Sequence, residues 1–267
     1  MLGFSNAKIN LGLNITEKRA DGYHNVESVF YPVPWADVLE VLPAEDFSFT
    51  TSGLDIPGET ARNLVMKAWQ LLAPPEKQVK IHLHKILPMG AGIGGGSSNG
   101  AFALKLINQV LQLGLSTEEL CSYAARLGSD CPFFIENRPA FCYGRGTEME
   151  PSPLSLEGKY LVMVNPGIHI STAEAYAGIT PRKAEISVKE IVKKPVAGWK
   201  GLLVNDFEAP LIRKHPLIGE IRDTLYTRGA LYASMTGSGS TVYGIWDQPV
   251  DIPSLFPKFT HWSGLLS

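Results

Sequence analysis

The residues Pro88-Met89-Gly90-Ala91-Gly92-Ile93-Gly94-Gly95-Gly96-Ser97-Ser98-Asn99 have the composition of an anion cradle. Five of them are glycine, and the run ends in hydroxyl and amide side chains. Without Cβ atoms the backbone can turn sharply and bring several N–H groups against a ligand. A helix entered directly afterwards adds unpaired N–H groups and a partial positive charge. The chemistry indicated is phosphate or nucleotide binding. Gly90, Gly92 and Gly95 also satisfy G-x-G-x-x-G. The segment before them alternates polar and apolar residues, whereas the strand of a dinucleotide fold is apolar on both faces. No ribose-binding acid follows at the required distance, and no Gly-Lys-Ser/Thr completes a Walker loop.

Away from the loop, Asp130 in Leu127-Gly128-Ser129-Asp130-Cys131-Pro132 is a candidate proton acceptor. It reads equally as an N-cap carboxylate of a short helix or turn. Lys8 shares a strand face with Asn10 and Asn14, so the three line a cleft or face solvent. His82 and His84 also share a face, but no third metal ligand is evident and lysines flank them, which marks a solvated face.

These groups need elements to position them. Ile9, Leu11, Leu13 and Ile15 alternate with polar or small residues, which predicts a half-buried strand. Asp21-Gly22 supplies a turn, and Tyr23-His24 opens the next extended stretch. Residues 79–84 alternate again and lead into the glycine run. Residues 97–113 have helical length, with Gly114 as the stop. Ser116-Thr117-Glu118-Glu119 reads as a capping box for a helix ending at Gly128. Strands are expected around residues 131–135 and 140–144, and a short buried one at 160–164. Residues 188–192 and 217–227 look helical. Pro151-Ser152-Pro153 marks the expected boundary between residues 1–152 and 153–267. Mixed strands and helices indicate an α+β architecture.

The totals exclude several classes. With 267 residues, 45% hydrophobic and 19% charged, the chain can bury a substantial core. A net charge of −2 without basic runs argues against a nucleic-acid surface. Three cysteines (Cys121, Cys131, Cys142) without CxxC spacing read as free thiols of a reducing compartment. There is no apolar run of signal-peptide or membrane-span length, so a cytoplasmic protein without a membrane partner is expected.

Three ordered segments resemble the motifs of the GHMP kinases: Lys8-Ile9-Asn10-Leu11, the glycine run, and Met235-Thr236-Gly237-Ser238-Gly239. The resemblance implies a two-lobed fold with mixed and antiparallel sheets and flanking helices. It also implies ATP-dependent phosphorylation of a small-molecule alcohol, with ATP as cosubstrate, Mg2+ expected and its ligands unassigned. Within the superfamily, Ala7-Lys8-Ile9-Asn10-Leu11, Arg19-Ala20-Asp21-Gly22-Tyr23-His24, the Gly-Gly-Gly-Ser-Ser-Asn tail and the Asp130 segment resemble one branch. That branch phosphorylates the 2-hydroxyl of a cytidine-diphosphate-linked alcohol on the non-mevalonate route to isoprenoid precursors. Other readings are another small-molecule GHMP kinase (mevalonate, homoserine or sugar) and a non-catalytic nucleotide-binding protein.

Carried over position by position, the resemblance gives residues 88–98 to the nucleotide phosphates and Asn63, Leu64 and Lys85 to the adenosine. Asn63 reads equally as a helix cap. Lys8 and Asp130 form the implied ion pair at the acceptor hydroxyl. Asn10, Tyr23, His24, Thr172, Tyr176, Gly237, Ser238 and Gly239 fall to the acceptor substrate, with Tyr23 and Tyr176 as an aromatic sandwich and His24 on the base edge. Tyr176 stands where the family usually has phenylalanine. Gly100, Asn165 and Ser240 also depart from the usual pattern.

Overall fold

The computed structural model describes residues 1–74 and 76–266. In chain order its elements are β1 (Leu2–Lys18), β2 (His24–Ala44), β3 (Ser48–Gly53), α1 (Leu64–Leu72), β4 (Gln78–Lys85), α2 (Gly95–Leu111), α3 (Thr117–Leu127) and α4 (Cys131–Glu136). There follow β5 (Ala140–Tyr143), β6 (Glu148–Pro151), β7 (Tyr160–Asn165), α5 (Thr172–Ala177), α6 (Val188–Ile191), α7 (Glu208–Lys214), α8 (Pro216–Thr227), β8 (Tyr232–Met235), β9 (Val242–Trp246) and β10 (Thr260–Leu265). The class is α+β, as expected. No described helix is long and apolar enough to cross a membrane.

The chain divides into two compact units that interleave in sequence. The first comprises Met1–Ala7, Trp35–Met89 and Gly94–Arg138. Here β4 pairs antiparallel with the end of β2 and parallel with β3. Val79, Ile81 and Leu83 of β4 are buried at every second position, the period expected of a strand with one covered face. α1 buries Val65, Ala68, Trp69 and Leu72, the i, i+3, i+4, i+7 stripe of an amphipathic helix. α2 packs against α1 and α4. At Gly100 of α2 an added Cβ would stand 2.9 Å from Leu64 Cβ, which gives this departure from the family pattern a packing reason.

The second unit comprises Lys8–Pro34, Gly90–Ile93 and Pro139–Ser267. Its sheet runs β10-β7-β9-β8, antiparallel throughout. One face packs on α8, whose Ile218, Ile221 and Leu225 join Val162 and Val164 of β7 in a single core. Each such side chain stabilises the fold by roughly 1.5–3 kcal/mol when fully buried.

Three local expectations are corrected. Residues 131–135 form helix α4, not a strand; Pro132 stands in its first turn and Asn137 closes it in the left-handed conformation. All but one of the residues Cys131, Pro132, Phe133, Phe134 and Ile135 are buried, and a short apolar run carries no period to separate helix from strand. α2 ends at Leu111 with Gln112 as its left-handed cap, ahead of Gly114. β1 is not half-buried: Lys8, Asn10 and Asn14 are as enclosed as the apolar residues between them. The capping box at Ser116 and Glu119 forms with both of its hydrogen bonds, and Gly128 caps that helix.

Candidate active site

In the second unit the loop residues Gly90–Ile93 are stitched to β1 and to the turn between β8 and β9. The Lys8 amide donates to the Ile93 carbonyl at 2.9 Å, and the Thr241 amide to that of Ala91 at 3.3 Å. A Cβ on Gly92, whose φ is +76°, would stand 2.3 Å from the Thr236 carbonyl oxygen. One on Gly237 would stand 2.7 Å from the Gly92 carbonyl oxygen. Main chain therefore meets main chain, and only glycine fits on either side. Asn205 holds the turn from beneath, its Nδ2 donating to the Met235 and Gly237 carbonyls at 2.8 and 2.9 Å. Ser238 is half-buried at the crest, between buried Gly237 and Gly239.

Lys8 is 4% exposed, so it is not a solvent-facing lysine. Its Nζ donates to Asn10 Oδ1 and lies 4.4 Å from the centroid of the Phe30 ring. Asn10 is fixed on all sides: its amide donates to Thr236 Oγ1 and its Nδ2 to Ser28 Oγ, both at 2.9 Å, while its carbonyl accepts from the Tyr243 hydroxyl at 2.9 Å. A desolvated ammonium is thus held in one orientation by an amide that is itself immobile.

His24 stacks on Tyr176 with centroids 4.8 Å apart, and Tyr176 meets Phe207 edge-on at 4.9 Å. Tyr23 is 55% exposed and lies beneath the Arg145 guanidinium, 3.6 Å from its ring centroid. Its amide donates to Asp21 Oδ1 at 3.1 Å. Thr172 is exposed in the first turn of α5, next to the Ser171 cap.

In the first unit, Gly94 caps α2 in the left-handed conformation, and no acid stands in the first turn of this helix. The leading N–H groups of α2 lack intrahelical partners, the arrangement that favours anions. Ser98 Oγ is buried and has no hydrogen-bond partner among the described residues. Burial pushes the Cys131 thiol up to about 12, with Asp130 adding in the same direction and Ser97 opposing. Asp130 occupies the N-cap position of α4 without a side-chain capping hydrogen bond.

Asn63, Leu64, Lys85, Met89, Gly96 and Asn99 line a cavity of about 220 Å³ in this unit. Asn63 does cap α1, accepting from the Val65 amide at 2.9 Å. Lys85 is buried against Asp37. Burial lowers its pKa, and the Asp37 charge opposes that shift. The same carboxylate accepts from the Ile86 and Leu87 amides at 2.6 and 2.7 Å and from Asn99 Nδ2 at 2.8 Å. One aspartate thus ties the strand before the glycine run to the helix after it. Pro88 and Met89 follow this anchor directly.

Asp37, Arg145 and Asn205 were not among the residues expected from the sequence, and Thr236 was named only as part of its motif. No group of three or more His, Cys, Asp or Glu that could hold a metal occurs among the described residues. His82 instead bonds Thr50 Oγ1 and Ser52 Oγ, each at 2.8 Å, and His84 bonds Ser52 Oγ at 2.9 Å.

Comparison with known proteins places these features in a family. Residues 63–144 match the GHMP kinases N terminal domain, and residues 188–255 match GHMP kinases C terminal. A 4-diphosphocytidyl-2-C-methyl-D-erythritol kinase of Parabacteroides distasonis is 47% identical over 274 aligned residues, covering 100% of both chains. That of Bacteroides thetaiotaomicron is 50% identical over 95% of this chain and 94% of its own. A crystal structure of 4-(cytidine 5'-diphospho)-2C-methyl-D-erythritol kinase superposes with a TM-score of 0.84 at 30% identity, covering 99% of this chain and 98% of that one. A mevalonate kinase at 14% identity, TM-score 0.68 and 98% coverage of each chain shares the fold alone.

Proposed function

We propose that this chain, which belongs to the 4-diphosphocytidyl-2-C-methyl-D-erythritol kinase family of the GHMP kinases, transfers the γ-phosphoryl group of ATP to the 2-hydroxyl of 4-diphosphocytidyl-2-C-methyl-D-erythritol. The observation that carries the reading is the glycine run itself. Left-handed glycines at 90, 92 and 94 lead into a long helix whose first turn is free of acids. Phosphoryl transfer asks a protein chiefly for positioning and charge stabilisation. The α2 N–H groups and the Ser98 hydroxyl supply donors to phosphate oxygens. Asn63, Leu64 and Lys85 border the nucleoside.

Asp130 accepts the proton of the attacking hydroxyl, and Lys8 stabilises the charge that develops on the acceptor. Asn10 aims the lysine. Tyr23 offers a ring face to the cytosine, His24 its edge donors and acceptors, and Tyr176 a second aromatic wall. Thr172 and the turn Gly237-Ser238-Gly239 complete the acceptor side. Mg2+ would be held mainly by substrate phosphates and water, with the Ser97 or the Ser98 hydroxyl as the candidate protein ligand. Its contribution is neutralisation of phosphate charge. The three free cysteines suit a reducing cytoplasm. A functional division at residues 152 and 153 falls between the two matched family regions.

The test is ATP consumption with the cytidine diphosphate substrate beside mevalonate, homoserine and galactose. Turnover is expected with the first alone. Asp130→Asn and Lys8→Met are each expected to lower kcat by roughly 10²–10⁴-fold while the fold persists. Wild-type rates in both variants, or turnover only with another alcohol, overturn the assignment.

A further inference from the structure

A second cavity, of about 560 Å³, opens in the second unit away from the groups assigned above. Its apolar wall includes Phe141, Pro153, Val196 and Trp199, and the Trp199 side chain belongs to the fully buried core. Its rim carries Lys159, Lys189, Lys193 and Lys194, and no carboxylate lines it among the described residues. Three of the lysines are held by acids outside the lining: Lys159 by Asp247, Lys189 by Glu150 and Lys193 by Glu190. Lys194 has no such partner among the described residues.

The walls are built rather than loose. The Trp199 indole N–H donates to the Lys194 carbonyl at 2.9 Å, tying floor to rim. The intervening turn is closed by Gly198 N–H to Pro195 and Trp199 N–H to Val196, at 2.8 and 3.0 Å. The opposite wall is anchored by the Ser152 amide on the Pro139 carbonyl and the Leu156 amide on the Tyr31 hydroxyl. Lys189 lies 5.6 Å from the Phe141 ring centroid, so cationic and aromatic surface are contiguous.

An apolar lining of this volume takes a small apolar body, and Lys194, the rim lysine without an acid partner among the described residues, takes an anion. We propose that this cavity is a binding site for an amphiphilic organic phosphate, a short hydrocarbon chain ending in a phosphate or diphosphate. The chain lies along Pro153 and Leu154, and the phosphate accepts charge-assisted hydrogen bonds from Lys194. The cavity shares no lining residue with the groups assigned above.

The probe is n-hexyl phosphate, titrated calorimetrically into the full chain with the nucleotide site saturated by ADP. Saturable binding is expected, at least about tenfold tighter than that of inorganic phosphate or of hexanol, because each of those satisfies only half of the site. Lys194→Glu is expected to weaken hexyl phosphate by roughly tenfold or more, and Lys194→Arg to retain it, with turnover of the enzyme unchanged in both. Circular dichroism verifies that the variants fold. Equal binding of hexanol, no gain over inorganic phosphate, or full affinity in Lys194→Glu overturns the proposal.

Discussion

Replacing Asp37 by asparagine tests whether one buried carboxylate organises the first unit of this enzyme. The Asp37 side chain is 0% exposed and that of Lys85 1% exposed. In Asp37→Asn the carbonyl oxygen can keep the Ile86 and Leu87 amides, which now bond Oδ1. The new NH2 group then faces the Lys85 ammonium, which loses its acceptor, and the Asn99 amide, which keeps only Ser5 Oγ. Stranding a buried charge costs about 3–5 kcal/mol. For a chain of this size that corresponds to a fall in thermal midpoint of roughly 6–20 °C. Lys85→Met strands the carboxylate instead and is expected to cost a similar amount. The double variant removes both charges and is expected to be more stable than the sum of the singles by about 1–3 kcal/mol. Calorimetric unfolding of the four proteins closes the cycle. Strict additivity, or a fall below about 2 °C in Asp37→Asn, refutes the claim that this pair anchors the loop.

Two further outcomes follow from the same geometry. Gly92→Ala adds a left-handed strain of about 1–2 kcal/mol and forces the Thr236 carbonyl away; the KM for ATP is expected to rise by at least about tenfold, and an unchanged KM contradicts the reading. The Cys131 thiol, pushed up to about 12 by burial from a reference of 9.0, is expected to resist Ellman's reagent at pH 8 until the chain unfolds. Between those two values the unfolded chain releases this proton while the folded chain holds it, so the group's contribution to stability is lost as pH rises. Rapid labelling of native Cys131 contradicts this.

The glycine run and the capping box were readable because their signals are local. Glycine spacing and hydroxyl residues locate the loop within twelve positions, and the capping box at Ser116 needs only four. Asp37 was hidden because its partner Lys85 is 48 residues away and the aspartate interrupts an otherwise strand-like run. Arg145 was hidden likewise, since nothing near it in sequence points to Tyr23. Lys8 was located but its burial was not, because alternation in β1 reports a period of two and not whether both faces are covered. The short apolar run of α4 misled for want of length, while Asn63 caps α1 and also lines the cavity of the first unit.

The contact of Gly92 with Thr236 and Gly237 also limits how this sequence can drift. When side chains collide, a neighbour can shrink and the damage is repaired. Here a peptide carbonyl occupies the space, and no mutation makes a peptide bond smaller. A selection for suppressors of Gly92→Ala should therefore yield reversion alone, leaving two segments far apart in the gene locked to one residue type each.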